Sequence, residues 1–187
     1  EVPRAGIVHR LDKDTSGLLV VARTLTAQTA LVRQLQERSV GREYMALAHG
    51  EIERGGKVDQ PIDRHPSQRT KMAVVEGGKP AVTHYLVERQ FPSCTLVRCR
   101  LETGRTHQIR VHMAHLKHPL IGDAVYIQGG QKCVIYLRTV LNSFPRQALH
   151  ATRLALEHPS TGEATEWHVA MPQDMQNLLR EVQREDK

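Results

Sequence analysis

At 187 residues, with 40% hydrophobic and 25% charged side chains, the chain has the size and make-up of one domain with a real core, and its 4% aromatic content makes that core mostly aliphatic. A net charge of +6 and a pI near 9.5, before counting 11 histidines, point to a polyanionic partner but are silent on fold. Three cysteines without CxxC spacing (Cys94, Cys99 and Cys133) argue against a disulfide framework or zinc site and for a reducing compartment, and no apolar run approaches the ~18 residues of a membrane span.

The chain opens at Glu1-Val2-Pro3, without Met and just before an apolar segment, so native sequence is expected upstream. Gly6–Leu11 reads as a strand, and Leu18–Ala22 as a strand buried on both faces. The run Asp12-Lys13-Asp14-Thr15-Ser16-Gly17 between them is made of turn formers. Ala27, Leu31 and Leu35 recur at helical spacing and predict an amphipathic helix over 26–38, followed by a strand near Glu43–Ala48. Residues 50–80, rich in Gly, Pro and charge, predict short strands and loops. Ala81–Glu88 and Thr95–Glu102 read as strands joined by a turn near Phe91-Pro92-Ser93. Thr106 is placed to cap a helix carrying Ile109, Met113 and Leu116. Ala151–His158 and Thr165–Ala170 form a hairpin around Pro159-Ser160-Thr161-Gly162, and a last amphipathic helix starts at Asp174. Strands outnumber helices and hairpins prevail, which gives an α+β class with a mainly antiparallel sheet.

Three groups of residues could carry chemistry. Asp12 and Asp14 sit beside Arg10 and Lys13. Aspartates favour turns for their own backbone bonds, but neighbouring cations also keep a carboxylate ionised. Periodicity does not choose between the two. Around Gly104-Arg105-Thr106-His107-Gln108-Ile109-Arg110, a strand leads into a helix whose first turn carries Arg105 and His107, an arrangement suited to an anion. The alternative is a basic helix face in solvent. A third cluster, Arg64, Arg69 and Lys71, lies in a predicted loop and reads as a phosphate-contacting arm or plain surface. His107, His112, His115 and His118 are spaced by five, three and three, without HExxH or Cys/His patterns, which argues against a metal site.

These residues resemble a known family. Gly6-Ile7-Val8-His9-Arg10-Leu11-Asp12-Lys13-Asp14-Thr15-Ser16-Gly17-Leu18 is similar to the signature of the pseudouridine synthases that include the ribosomal large-subunit enzymes A, C and D. Arg42-Glu43-Tyr44 resembles that family's tyrosine motif, Gly104–His112 its arginine motif, and Leu149-His150-Ala151 its C-terminal marker. Pro80–Tyr85 and Arg146-Gln147-Ala148 resemble the D-type enzymes most.

The resemblance implies a mixed, mainly antiparallel sheet flanked by helices, and isomerisation of uridines to pseudouridine in large-subunit (23S) ribosomal RNA. It implies Asp12 as nucleophile, Tyr44 lining the pocket and assisting proton transfer, and Arg110 paired with Asp12. Arg10 would fill the gap left by a flipped nucleotide. Arg105, His107, Arg64, Arg69 and Lys71 would bind the RNA. It implies no metal, no cofactor, no membrane, a cytoplasmic location and a monomer. Residues 1–187 would be the catalytic domain, truncated at its N-terminus, with the first catalytic strands and an S4-type RNA-binding domain lying outside the chain. Residues 127–144 depart from the family pattern after Gly122–Tyr126 and read as a variable surface loop without a catalytic role. Two other readings remain: an RNA-binding module without catalysis, and a nucleoside or glycoside hydrolase using Asp12 and Asp14.

Overall fold

The computed structural model describes residues 2–127 and 135–184. In chain order a turn at Pro3–Gly6 is followed by β1 (Ser16–Gly17), α1 (Leu25–Gln36), β2 (Gly41–His49), β3 (Gly56–Asp59), β4 (Ile62–Arg64) and β5 (Met72–Val74). Next come β6 (Val82–Phe91), β7 (Cys94–Leu101), α2 (Gln108–His115), α3 (Ile135–Ser143), β8 (Leu149–Glu157), β9 (Ala164–His168) and α4 (Gln173–Arg184). Seven strands form one sheet in the order β1-β8-β2-β7-β6-β3, with β9 also on β8, while β4 and β5 make a separate two-stranded sheet. All pairings are antiparallel except β1 on β8. The mixed, mainly antiparallel α+β class read from the sequence is what the chain adopts.

Strand β2 is central and buried on both faces, and its alternation sorts the core. Met45 and Leu47 point to one side, where Leu137, Leu141, Met175, Leu178 and Val182 of α3 and α4 cover the sheet. Tyr44, Ala46 and Ala48 point to the other, where Ile109 and Met113 of α2 pack with Leu149 and Ala151. In α4 the buried positions Met175, Leu178 and Val182 fall at three- and four-residue steps, the stripe that a helix lays on a core. Helix α1 is capped by Thr24, whose Oγ1 accepts the Ala27 amide at 3.1 Å, and packs Leu31 on Leu154 and Leu156.

Three expectations need correction. Residues 6–11 and 18–22 are not sheet strands. They touch through one bridge, Ile7 to Val21, and through His9, whose Nε2 accepts the Val20 amide at 3.0 Å. Leu19 and Val21 are 44% and 46% exposed while Leu18 and Val20 pack inward, so this segment buries one face rather than two. Thr106 does not cap α2. The cap position is His107, in the left-handed region at φ 54, and the buried Gln108 side chain accepts the Arg105 amide instead, at 3.0 Å. The span 127–144 is not simply a surface loop, because α3 occupies its second half with Leu137 and Leu141 fully buried. The expectation for 128–134, including Cys133, lies outside the described residues.

Candidate active site

The turn 12–17 is clasped from below by the chain entering β8. Gln147 Nε2 donates to Lys13 O at 2.6 Å and to Thr15 Oγ1 at 3.0 Å. Arg146 Nη1 donates to Asp14 O at 3.0 Å, while the same guanidinium grips Asp174 of α4 at 2.8 and 3.1 Å. Ser16 Oγ and His150 Nδ1 are hydrogen-bonded at 2.9 Å. Gly17, at φ +112, lies so close to β8 that a Cβ there would sit 2.2 Å from Ala151 O. A chain this near the sheet at a positive φ admits only glycine. The turn is therefore fixed by tertiary bonds more than by its own sequence.

This clasp separates the two aspartates. Asp14 is exposed on the outer side of the turn, at φ 67. Asp12 points inward, its side chain 14% exposed, with Oδ2 at 3.4 Å from Arg110 Nη1. Arg110 is itself anchored by Asp123, from Nε to Oδ2 at 2.7 Å and Nη2 to Oδ1 at 2.9 Å. Asp123 Oδ1 also accepts the amides of Val125 and Tyr126, at 3.0 and 3.2 Å. Burial works against the Arg110 charge, but the bonds to Asp123 and the charges of Asp123 and Asp12 hold its pKa above the ordinary value. The Arg110 guanidinium also stacks over the Tyr126 ring at 5.0 Å.

A cleft of about 590 Å³ opens in front of Asp12, a size ordinary for a small-molecule or nucleotide site. Asp12, Tyr44, Arg10 and Arg105 all line it, together with Leu11, Ile109 and Leu149. Tyr44 is 7% exposed, and burial pushes its hydroxyl up to about 12, with Arg42 pulling it down and Asp12 pushing it up. It stays protonated at neutral pH. Arg10 is exposed at the mouth, and Arg105 is tied to Pro80 O by its Nε at 2.9 Å.

The remaining expected residues lie elsewhere. His107 does not line the cleft: its Nδ1 meets Tyr126 Oη at 2.7 Å, and burial lowers its pKa. Tyr126 Oη also accepts the Met72 amide at 3.0 Å, which ties β5 to the site. Arg64, Arg69 and Lys71 sit on the β4–β5 hairpin and the loop joining its strands, which packs on α2, and none of them lines the cleft. Among the described residues no group of three or more His, Cys, Asp or Glu is placed to hold a metal ion, and no helix is long and apolar enough to cross a membrane. Sequence reading missed Asp123, Tyr126, Arg146, Gln147 and Arg42. Asp123 and Tyr126 fall in a quoted run, Gly122–Tyr126, and Arg146-Gln147 in another, but nothing in either run shows what the side chains touch.

The profile of the RNA pseudouridylate synthase family matches residues 1–115. The chain is 58% identical over 96% of its length to ribosomal large subunit pseudouridine synthase D of Pasteurella multocida (strain Pm70), and covers 56% of that protein. It is 57% identical over its whole length to the protein of the same name from Escherichia coli (strain K12), covering 58% of it. The chain thus spans little more than half the length of these curated relatives. Among solved structures, human RNA pseudouridylate synthase domain containing 4 superposes with a TM-score of 0.77 at 28% identity, over 95% of this chain and 75% of that one. Human RNA pseudouridylate synthase domain containing 1 gives 0.73 at 27% identity, over 94% and 79%. With its profile match over more than half of its residues, the chain belongs to the RNA pseudouridylate synthase family.

Proposed function

We propose that this chain carries the reactive centre of an enzyme that converts specific uridines of large-subunit (23S) ribosomal RNA to pseudouridine, with Asp12 as nucleophile. The observation that carries the reading is Asp12 at the wall of a uridine-sized cleft, beside a protonated Tyr44 and an arginine anchored independently of it.

The reaction breaks the N1–C1′ bond, turns the base, and joins C5 to C1′. C5 loses a proton and N1 gains one, so atoms balance without any cofactor. Asp12 can bond to the nucleotide or stabilise an oxocarbenium-like sugar, and Arg110 keeps it ionised and aimed. Tyr44 holds its proton, which suits it to hand one on rather than to stand as a free base. The apolar side chains of Leu11, Ile109 and Leu149 exclude water that would otherwise strip the base. A uridine in a stack must flip to reach Asp12, at a cost of a few kcal/mol, and the exposed Arg10 at the mouth can fill the space it leaves. Arg105 would steady the nucleotide, His107 would act only through Tyr126, and Arg64, Arg69 and Lys71 would contact RNA phosphates further out. The enzyme would act as a cytoplasmic monomer without metal or cofactor.

A hydrolase built on paired carboxylates is disfavoured by the same geometry. Asp14 faces outward, Asp123 is held by Arg110, and Glu102, which also lines the cleft, is bonded to His84 and Arg38, so among the described residues no unpaired second carboxylate lines the cleft with Asp12. Carbodiimide mapping of ribosomal RNA from a strain lacking the protein tests the reading. Loss of specific pseudouridines in large-subunit RNA is expected, and an unchanged map would overturn it.

A further inference from the structure

Arg42 is a buried cation without a counter-ion. It is 7% exposed yet lines the cleft. Its Nε has no hydrogen-bond partner, and among the described residues no carboxylate pairs with its guanidinium. Arg110, Arg146 and Arg153, in contrast, each meet at least one carboxylate. The neighbouring acid, Glu43, is already engaged by Arg98 and Arg153 at 3.3 and 2.9 Å. Arg42 stands two residues before Tyr44 on β2, roughly 7 Å along the strand. Space is kept for it: a Cβ at Gly104 would lie 2.6 Å from Arg42 Nη1, so any side chain there would displace the guanidinium. His9, which also lines the cleft, adds no second charge, because its Nε2 accepts the Val20 amide and it is neutral near pH 7.

A permanent charge that is mostly buried, sealed at Nε and open only toward the cleft, favours a permanent anion in that cleft. In RNA that anion is the phosphodiester, since uracil is neutral until its bond to the sugar breaks. The planar guanidinium fork matches two phosphate oxygens. We propose that Arg42 is the anion anchor of the cleft and takes a phosphodiester flanking the flipped target uridine. This rests on the RNA reading above. It places the phosphate contact that draws the nucleotide in beside Tyr44 rather than only among the exposed cations at the mouth.

The test measures binding of a target stem-loop RNA, and single-turnover pseudouridine formation, for the wild-type protein, Arg42→Gln and Arg42→Lys. Arg42→Gln should raise Kd roughly ten- to hundredfold, as expected for a charged hydrogen bond, with Arg42→Lys between. The salt slope of binding should fall by roughly 0.7–1. A neutral methylphosphonate at one of the phosphates flanking the target uridine should weaken the wild type equally and cost Arg42→Gln nothing more. A fall in kcat with Kd and salt slope intact would assign the guanidinium to charge on the detached base and overturn the proposal. So would unchanged Kd and kcat together. The methylphosphonate series on the wild type needs no variant to fold, and indifference to every flanking phosphate also overturns it. These readings are of binding, so an RNA that binds normally but is not modified indicts the isomerase reading and not Arg42.

Discussion

Arg110 is bound more closely by Asp123 than by Asp12. Two bonds of 2.7 and 2.9 Å tie it to Asp123, whose side chain is wholly buried, against one contact of 3.4 Å to Asp12. The arginine is therefore a fixed post, and the carboxylate expected to react is the loosely held partner. A nucleophile locked in a bidentate pair would have to break it before attacking; here Asp12 keeps one oxygen free of Arg110.

Removing Asp123 should damage fold and site together. Asp123→Ala leaves the Arg110 charge buried with a single long contact, a situation that costs about 3–5 kcal/mol. Urea unfolding reads the loss directly. Stability within about 0.5 kcal/mol of wild type would mean that Asp123 does not anchor the arginine.

Gln147 never reaches the cleft, yet it should matter to the chemical step. Its amide holds Lys13 and Thr15, within the turn that presents Asp12. Gln147→Ala should lower single-turnover rate roughly ten- to a hundredfold through misplacement of the carboxylate, with RNA Kd unchanged. A rise in Kd at constant rate would show that the residue serves RNA docking instead.

The histidines set the acid limit of stability. His9 is lowered from 6.5 to about 4, first by burial and then by Arg42, and burial also lowers His49, His112 and His150. The unfolded chain takes up these protons before the folded one does. Stability is thus full above about pH 6.5 and declines as pH falls toward 4. Thermal melts between pH 7.5 and 5 should show this decline, and His9→Gln should make it shallower. A Tm that stays flat over that range contradicts the assignment.

The cations of the β4–β5 hairpin should act on affinity alone. Alanine at Arg64, Arg69 or Lys71 should each flatten the dependence of log K on log salt by roughly 0.7–0.9, the share of one phosphate contact, without changing the bound-state rate. An unaltered slope would return that hairpin to plain surface.

The sequence showed the sheet and its hairpins because stretches rich in β-branched and apolar residues, such as Val82–Phe91 and Cys94–Leu101, meet at the turn formers Pro92-Ser93. It failed at 6–11 and 18–22, where composition favours strands but His9 takes the place of a ladder bond and only one face is covered. It failed at α3, whose Leu137 and Leu141 are spaced for a helix but lie in a stretch that departs from the family pattern. Within the site, the expected Asp12, Tyr44, Arg10 and Arg105 share one cleft, with Arg110 against Asp12. The clasp by Arg146 and Gln147, and the anchor at Asp123, depend on contacts across 13 to 134 residues of chain. Such contacts have no local signature. Asp12 and Asp14 differ only in which way a turn faces, and tertiary bonds decide that.

The most direct test is a comparison of Asp12→Asn with wild type on the same ribosomal stem-loop RNA, reading pseudouridine formed and RNA bound. The substitution keeps size and shape but removes the charge facing Arg110. Pseudouridine formation should vanish while Kd stays within a few fold. Turnover near the wild-type rate would contradict Asp12 as nucleophile, and free uracil released by the wild-type protein would contradict isomerisation itself.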